Sequence, residues 1–150
     1  MSIPARVVGM AVASLLALLG PAPALADGLT AKAGLAQALA SAKTWQGDAI
    51  LVHLSSTKVK ADGTASEWKY SFYSPKTAKR CVVTSRPGGA TAKEVRLGNY
   101  TEPLGEFIDS DKAMAVAKQN GLKGSEPSMA VGRPAGAKAE GTYWLVAGGF

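Results

Sequence analysis

Cysteine and histidine are nearly absent: Cys81 is the only thiol and His53 the only imidazole in 150 residues. A lone cysteine rules out an intramolecular disulfide, so any covalent staple would need a second chain. Its surroundings, "RCVVTS", have the composition of a strand, which predicts that Cys81 is buried. A lone histidine means that a Ser-His-Asp or Cys-His centre would have to use His53, and no nucleophile-elbow motif accompanies it. There is no histidine pair and no D-x-D-x-D-G loop to hold a metal. Two glycine-rich pieces, "RPGGATAK" and "RPAGAKAEG", lack the spacing of a phosphate-binding loop and sit where hairpin tips belong. The sequence therefore nominates no catalytic residue, no metal ligand and no cofactor.

Long hydrophobic runs are confined to the start. "MSIPARVVGMAVASLLALLGPAPALA" places Arg6 before an apolar run from Val7 to Leu19, then a Gly-Pro break and Ala24-Leu25-Ala26. This is the layout of a secretory signal peptide with cleavage after Ala26, and the run is shorter than the roughly 20 residues a spanning helix needs. No cysteine follows it, so lipid attachment is not expected. The mature chain is expected to begin near Asp27, periplasmic or secreted, with no transmembrane segment after cleavage. It keeps 150 − 26 = 124 residues, enough for one compact domain or two tightly joined modules.

Acidic residues are the minority, 11 against 17 basic ones, for a net charge of +6, or +5 once Arg6 is removed. The cations are scattered apart from "KTAKR" (76–80), which reads as a solvated hairpin end. Scatter and export together argue against nucleic acid as a partner and leave weak attraction to anionic envelope surfaces.

The remaining residues fall into a regular order. "TAKAGLAQALASAK" is a helix with Thr30 as N-cap and Leu35, Leu39 and Ala42 on one face, weakened somewhat by Gly34. "DAILVHLS" reads as a strand with Ile50, Val52 and Leu54 on one side and Leu51 and His53 on the other. After an Asp-Gly turn, "EWKYSFYS" alternates, with Trp68, Tyr70 and Phe72 on one face. "KRCVVTS" and "KEVRL" are further strands about a Pro-Gly-Gly turn. A less regular bridge, "GNYTEPLGEF", leads to a second helix in "DSDKAMAVAKQNG", then the short strand "SMAVG" and a closing strand in "TYWLVAGG".

The second half follows the pattern of the first, either as an internal duplication or as a coincidence of two similar α-β-β units. "ALASAK" begins at Ala38 and "AMAVAK" at Ala113, 113 − 38 = 75 residues apart, and Leu54 with Met129 and Trp68 with Tyr143 keep that offset. Each unit lays one helix over a hairpin too small to be stable alone. The expected fold class is therefore α+β: two α-β-β(-β) units, 27–106 with the bridge and 107–150, sharing one antiparallel sheet.

"FIDSDKAMAVAKQNG" followed some twenty residues later by "TYWLV" resembles the PepSY or PepSY-like domain. The resemblance covers roughly 107–150 best and reaches 30–75 through the offset. It implies a small extracytoplasmic α+β module that binds or restrains another protein, a secreted peptidase among the candidates, and it carries no catalytic residue. The alternative is an envelope structural or small-ligand protein with a pocket between helix and sheet.

Two features remain open on these residues. Asp109 and Asp111 suit helix-start chemistry, capping and opposing the helix dipole, better than a metal or acid–base site; Ile108 is placed for a hydrophobic staple. In "TYWLV" both strand faces are apolar. Either the rest of the protein covers both, or Trp144 and Val146 lie on a patch that a partner fills. The other candidate contact is a free edge strand at "KEVRL", with Val95 and Leu97.

Overall fold

Thr30 opens the first helix, α1 (Ala31–Trp45), its hydroxyl accepting the Ala33 N–H at 3.3 Å. The chain then forms β1 (Ile50–Ser56), β2 (Trp68–Ser74), β3 (Lys79–Arg86) and β4 (Gly89–Val95), followed by α2 (Ser110–Gln119), β5 (Ser128–Gly132) and β6 (Tyr143–Ala147). The structure is a computed structural model and describes residues 27–133 and 141–148. Residues 1–26, where the sequence leads one to expect a signal peptide, most of the "RPAGAKAEG" loop and the last two residues lie outside the described residues.

The strands make one six-stranded sheet in the order β4-β3-β2-β1-β5-β6, with every neighbouring pair antiparallel. Both helices contribute to a single core on one face of it, so the architecture is α+β. Trp68, Tyr70 and Phe72 alternate along β2 onto that face and are fully buried. Removing a buried aromatic of this kind costs about 3–5 kcal/mol, and three in a row make β2 the centre of the core.

The face by which α1 meets the sheet differs from the leucine stripe the sequence suggests. Ala31, Gly34, Ala38 and Ala42 are the buried residues of α1, whereas Leu35 is only partly covered and Leu39 is exposed. The reason is the size of the aromatics beneath: a helix over Trp68 and Tyr70 can approach only with a small-residue face. Polar atoms reinforce the fit. The Tyr70 hydroxyl donates to the Ala31 carbonyl at 2.6 Å, Ser85 to the Gly34 carbonyl at 2.9 Å, and the Trp68 indole N–H to the Leu29 carbonyl at 2.8 Å. A Cβ on Gly34 would overlap the Tyr70 hydroxyl, so this glycine is a packing requirement.

At the middle of the sheet Leu54 faces Val131, Ser55 faces Ala130 and Ser56 faces Met129. Ser55 and Ala130 are 130 − 55 = 75 residues apart, and the two flanking pairs exchange under the same separation. The outer strands depart from it by one residue. Leu54 faces Tyr70, but Met129 faces Val146, not Leu145. Trp144, not Tyr143, therefore stands where Trp68 stands in its own hairpin. The two indoles meet edge to face with centroids 6.0 Å apart, which a one-residue slip would prevent by turning Trp144 to the other side.

The helix α2 begins at Asp109, whose carboxylate accepts the Ser110 N–H at 2.7 Å, and ends at Asn120 followed by Gly121 at φ +91°. The Leu122 N–H returns to the Ala117 carbonyl at 3.0 Å, closing the helix in the way a left-handed glycine allows. No helix among the described residues is long and apolar enough to cross a membrane.

A candidate binding cleft on the helix-free face

Strand parity and one bulge decide what the opposite face of the sheet carries. In β1 the register shifts between Leu51 and His53, making Val52 the inserted residue. The bulge breaks the simple alternation expected of this strand. Leu51 faces Phe72 and packs against the core, while His53 faces Ser71 on the other side. On β5, Met129 and Val131 go into the core, leaving Ala130 and Gly132 on the helix-free face. On β6, Tyr143 lies opposite Gly132 and Leu145 opposite Ala130.

The result is a trough. Its floor is the small-residue row Ala130 and Gly132, one wall is His53, and the other wall is Tyr143 and Leu145. Gly132 is what lets His53 lie close over the strand, because a Cβ there would sit 3.1 Å from His53 Cδ2. Tyr100 raises the first wall: its ring stacks on the imidazole with centroids 4.6 Å apart and planes 19° from parallel. Arg133, the residue after β5, lines one end. The trough is open to solvent on one side and its volume is about 350 Å³, inside the range of small-ligand pockets.

Tyr100 is delivered by the segment between β4 and α2, which the sequence shows only as irregular. From Tyr100 on the helix-free side it bonds Leu104 N–H to the Leu51 carbonyl at 2.9 Å and Gly105 N–H to the Thr142 hydroxyl at 2.9 Å. It reaches the core side at Phe107, whose ring meets Trp144 edge to face at 6.1 Å. The segment is a strap around the sheet, anchored on both faces.

Burial pushes the His53 imidazole below its ordinary value, so the neutral ring is favoured. A neutral imidazole offers one donor and one acceptor, and its immediate neighbours in the cleft are the Tyr100 ring and the Gly132 backbone. Such surroundings suit stacking and hydrogen bonding to a bound group.

The four residues singled out in the sequence fall in two places. Trp144 and Val146 are half-buried against the core, and the Trp144 indole N–H donates to the Ile108 carbonyl at 2.8 Å. The other face of β6 bears Tyr143 and Leu145, which are 48% and 70% exposed. Val95 ends β4, an edge strand of the sheet, and is half-buried; Leu97 follows it and is 89% exposed. The Trp144 pair and the Val95 pair are at opposite edges of the sheet and are not brought together.

Asp109 and Asp111 hold backbone. Asp109 accepts from Ser110 N–H and Lys32 N–H, and Asp111 from Lys112 N–H at 2.7 Å. The side chain of Ile108, expected to staple the helix, is 48% exposed. A recess between helix and neighbouring chain does exist beside α1, about 360 Å³, lined by Lys32, Leu35, Leu39 and Phe107, with the Lys32 ammonium 5.4 Å from the Phe107 ring centre. Among the described residues, no group of three or more His, Cys, Asp or Glu side chains is placed to hold a metal ion.

Sequence reasoning missed Tyr100, Gly132 and Leu145. One signal was available: Ala130 and Gly132 alternate as small residues beside a strand whose both faces are apolar, which implies a shallow strip with a tall neighbour. Compared with known proteins, the chain matches no family model, no curated protein and no solved structure.

Proposed function

We propose that the chain is an exported, non-catalytic PepSY-like module that binds and regulates a protein in the cell envelope, a peptidase being the class that the resemblance suggests. One observation supports this most. Tyr100, Tyr143 and Leu145 are 40%, 48% and 70% exposed and share one face, beside β6 at the edge of the sheet. Grouped apolar exposure next to a strand edge is the surface on which a partner strand adds, main chain to main chain, with side chains in the adjoining trough. The 75-residue relation about Ser55 and Ala130 supports the reading of two related units sharing a sheet.

The test is comparative. The chain and its Leu145→Asp variant are used as bait in the exported fraction, with Leu97→Asp as a control at the far edge. The proposal expects one partner retained by the wild type and Leu97→Asp and lost with Leu145→Asp. Equal recovery by all three baits would overturn it. Intact mass of the exported chain tests cleavage after Ala26.

A further inference from the structure

The trough on the helix-free face has a chemistry of its own, beyond the protein-binding reading. We infer that the cleft between His53–Tyr100 and Tyr143–Leu145, with Arg133 at one end, is a binding site for a small planar aromatic carboxylate.

Shape comes first. Ala130 and Gly132 lie between the His53–Tyr100 stack on one side and Tyr143 with Leu145 on the other, so aromatic rings flank the trough and offer faces to a flat group. One wall is already a stack, His53 on Tyr100, and a further ring extends it with the offset geometry that aromatic pairs prefer.

Polarity comes second. Neither imidazole nitrogen of His53 has a hydrogen-bond partner among the described residues, and neither is sealed from solvent. Arg133 makes no ion pair among the described residues. Among the described residues no carboxylate lines the cleft; Glu106 lines an adjoining recess with Arg133 without pairing to it. A guanidinium at the end of an aromatic cleft, with no acid among the described lining residues, is complementary to a carboxylate on the edge of a ring, and its fork matches a carboxylate with two parallel bonds. The imidazole N–H supplies a further donor.

The experiment uses the purified mature chain without any partner, so its outcome does not depend on the protein-binding reading. Phenylacetate is titrated while the His53 and Tyr100 ring signals are followed by NMR, with cyclohexylacetate and benzyl alcohol as comparators. The assignment expects saturable shifts at both rings with a Kd at or below about 1 mM. It expects weaker binding of cyclohexylacetate, which is not flat, and of benzyl alcohol, which is not charged. Arg133→Gln should weaken phenylacetate about tenfold and leave benzyl alcohol unchanged. Because Arg133 is exposed and outside any strand, that variant keeps the fold, and an unchanged amide spectrum checks this. Absence of saturation, or equal binding of phenylacetate by wild type and Arg133→Gln, would overturn the inference. Binding of a peptide ending in phenylalanine but not of phenylacetate would overturn it as well, and would assign the slot to the protein partner.

Discussion

The Asp109 carboxylate accepts the backbone N–H of Lys32 at 2.9 Å, so the residue that starts α2 also caps α1. Beside it the Ser110 hydroxyl accepts the Ala31 N–H at 2.9 Å and donates to the Gly63 carbonyl at 2.7 Å. Two helix N-termini that would each leave unpaired N–H groups are thus satisfied by one Asp-Ser dipeptide, across more than 70 residues of chain. The loop that carries Gly63 is held there too, since a Cβ on Gly63 would overlap the Asp111 backbone.

This junction predicts different costs for its two members. Ser110→Ala leaves a buried N–H and a buried carbonyl unpaired and should destabilise the fold by about 1–3 kcal/mol. Asp109→Ala removes a half-buried cap and should cost about 1–2 kcal/mol, with Asp109→Asn retaining most of it. Urea denaturation of the three variants measures this. An Asp109→Ala midpoint equal to wild type would show that the shared cap contributes nothing.

Gly34 offers a sharper case, because propensity and packing oppose each other. In an exposed helix Gly→Ala stabilises by about 1 kcal/mol. Here the new methyl displaces the Tyr70 hydroxyl from its bond to Ala31, so Gly34→Ala should be destabilising by about 1–3 kcal/mol. Adding Tyr70→Phe removes the colliding oxygen. The double variant is expected to be more stable than the sum of the two single changes, and thermal melts of the four proteins test that coupling.

His53 should make stability depend on pH. Its folded-state pKa lies below the ordinary 6.5 because burial disfavours the charged ring. The unfolded chain therefore takes up the proton first as pH falls. The stability this residue contributes is complete above about pH 6.5 and is lost as pH drops toward and through the folded value. Urea midpoints measured from about pH 8 down to pH 5 should fall in the wild type and flatten in His53→Gln. Parallel curves for the two proteins would refute the assignment.

Cys81 is fully buried opposite Phe72, and burial first, then the nearby Glu94 charge, pushes its thiol up to about 11. Since the thiolate is the reactive form, a thiol reagent at neutral pH should label the folded protein very slowly and the urea-unfolded protein quickly. Fast labelling of the folded chain would mean that β3 is more open than its packing implies.

Much of the fold is legible in the residues because it rests on local rules. Thr30 and Asp109 mark helix starts through side-chain oxygens that accept N–H bonds. Alternation in "WKYSFYS" fixes which side of β2 enters the core. The buried state of Cys81 follows from its strand. The cleft is not legible in the same way. His53 reaches the helix-free face beside an inserted Val52, and Tyr100 reaches His53 along a segment with no periodicity, so no spacing in the chain announces their contact.

What the sequence determined by itself is the set of elements, their amphipathic faces and the absence of recognised catalytic spacings, since each depends on neighbours within a turn or a strand. Only the tertiary structure decided that α1 packs by glycine and alanine, that β6 pairs one residue out of step so that Trp144 turns inward and Leu145 outward, and that His53, Tyr100 and Arg133 share one cleft. Each of these depends on the volume and register of a partner far along the chain, and local patterning contains neither quantity.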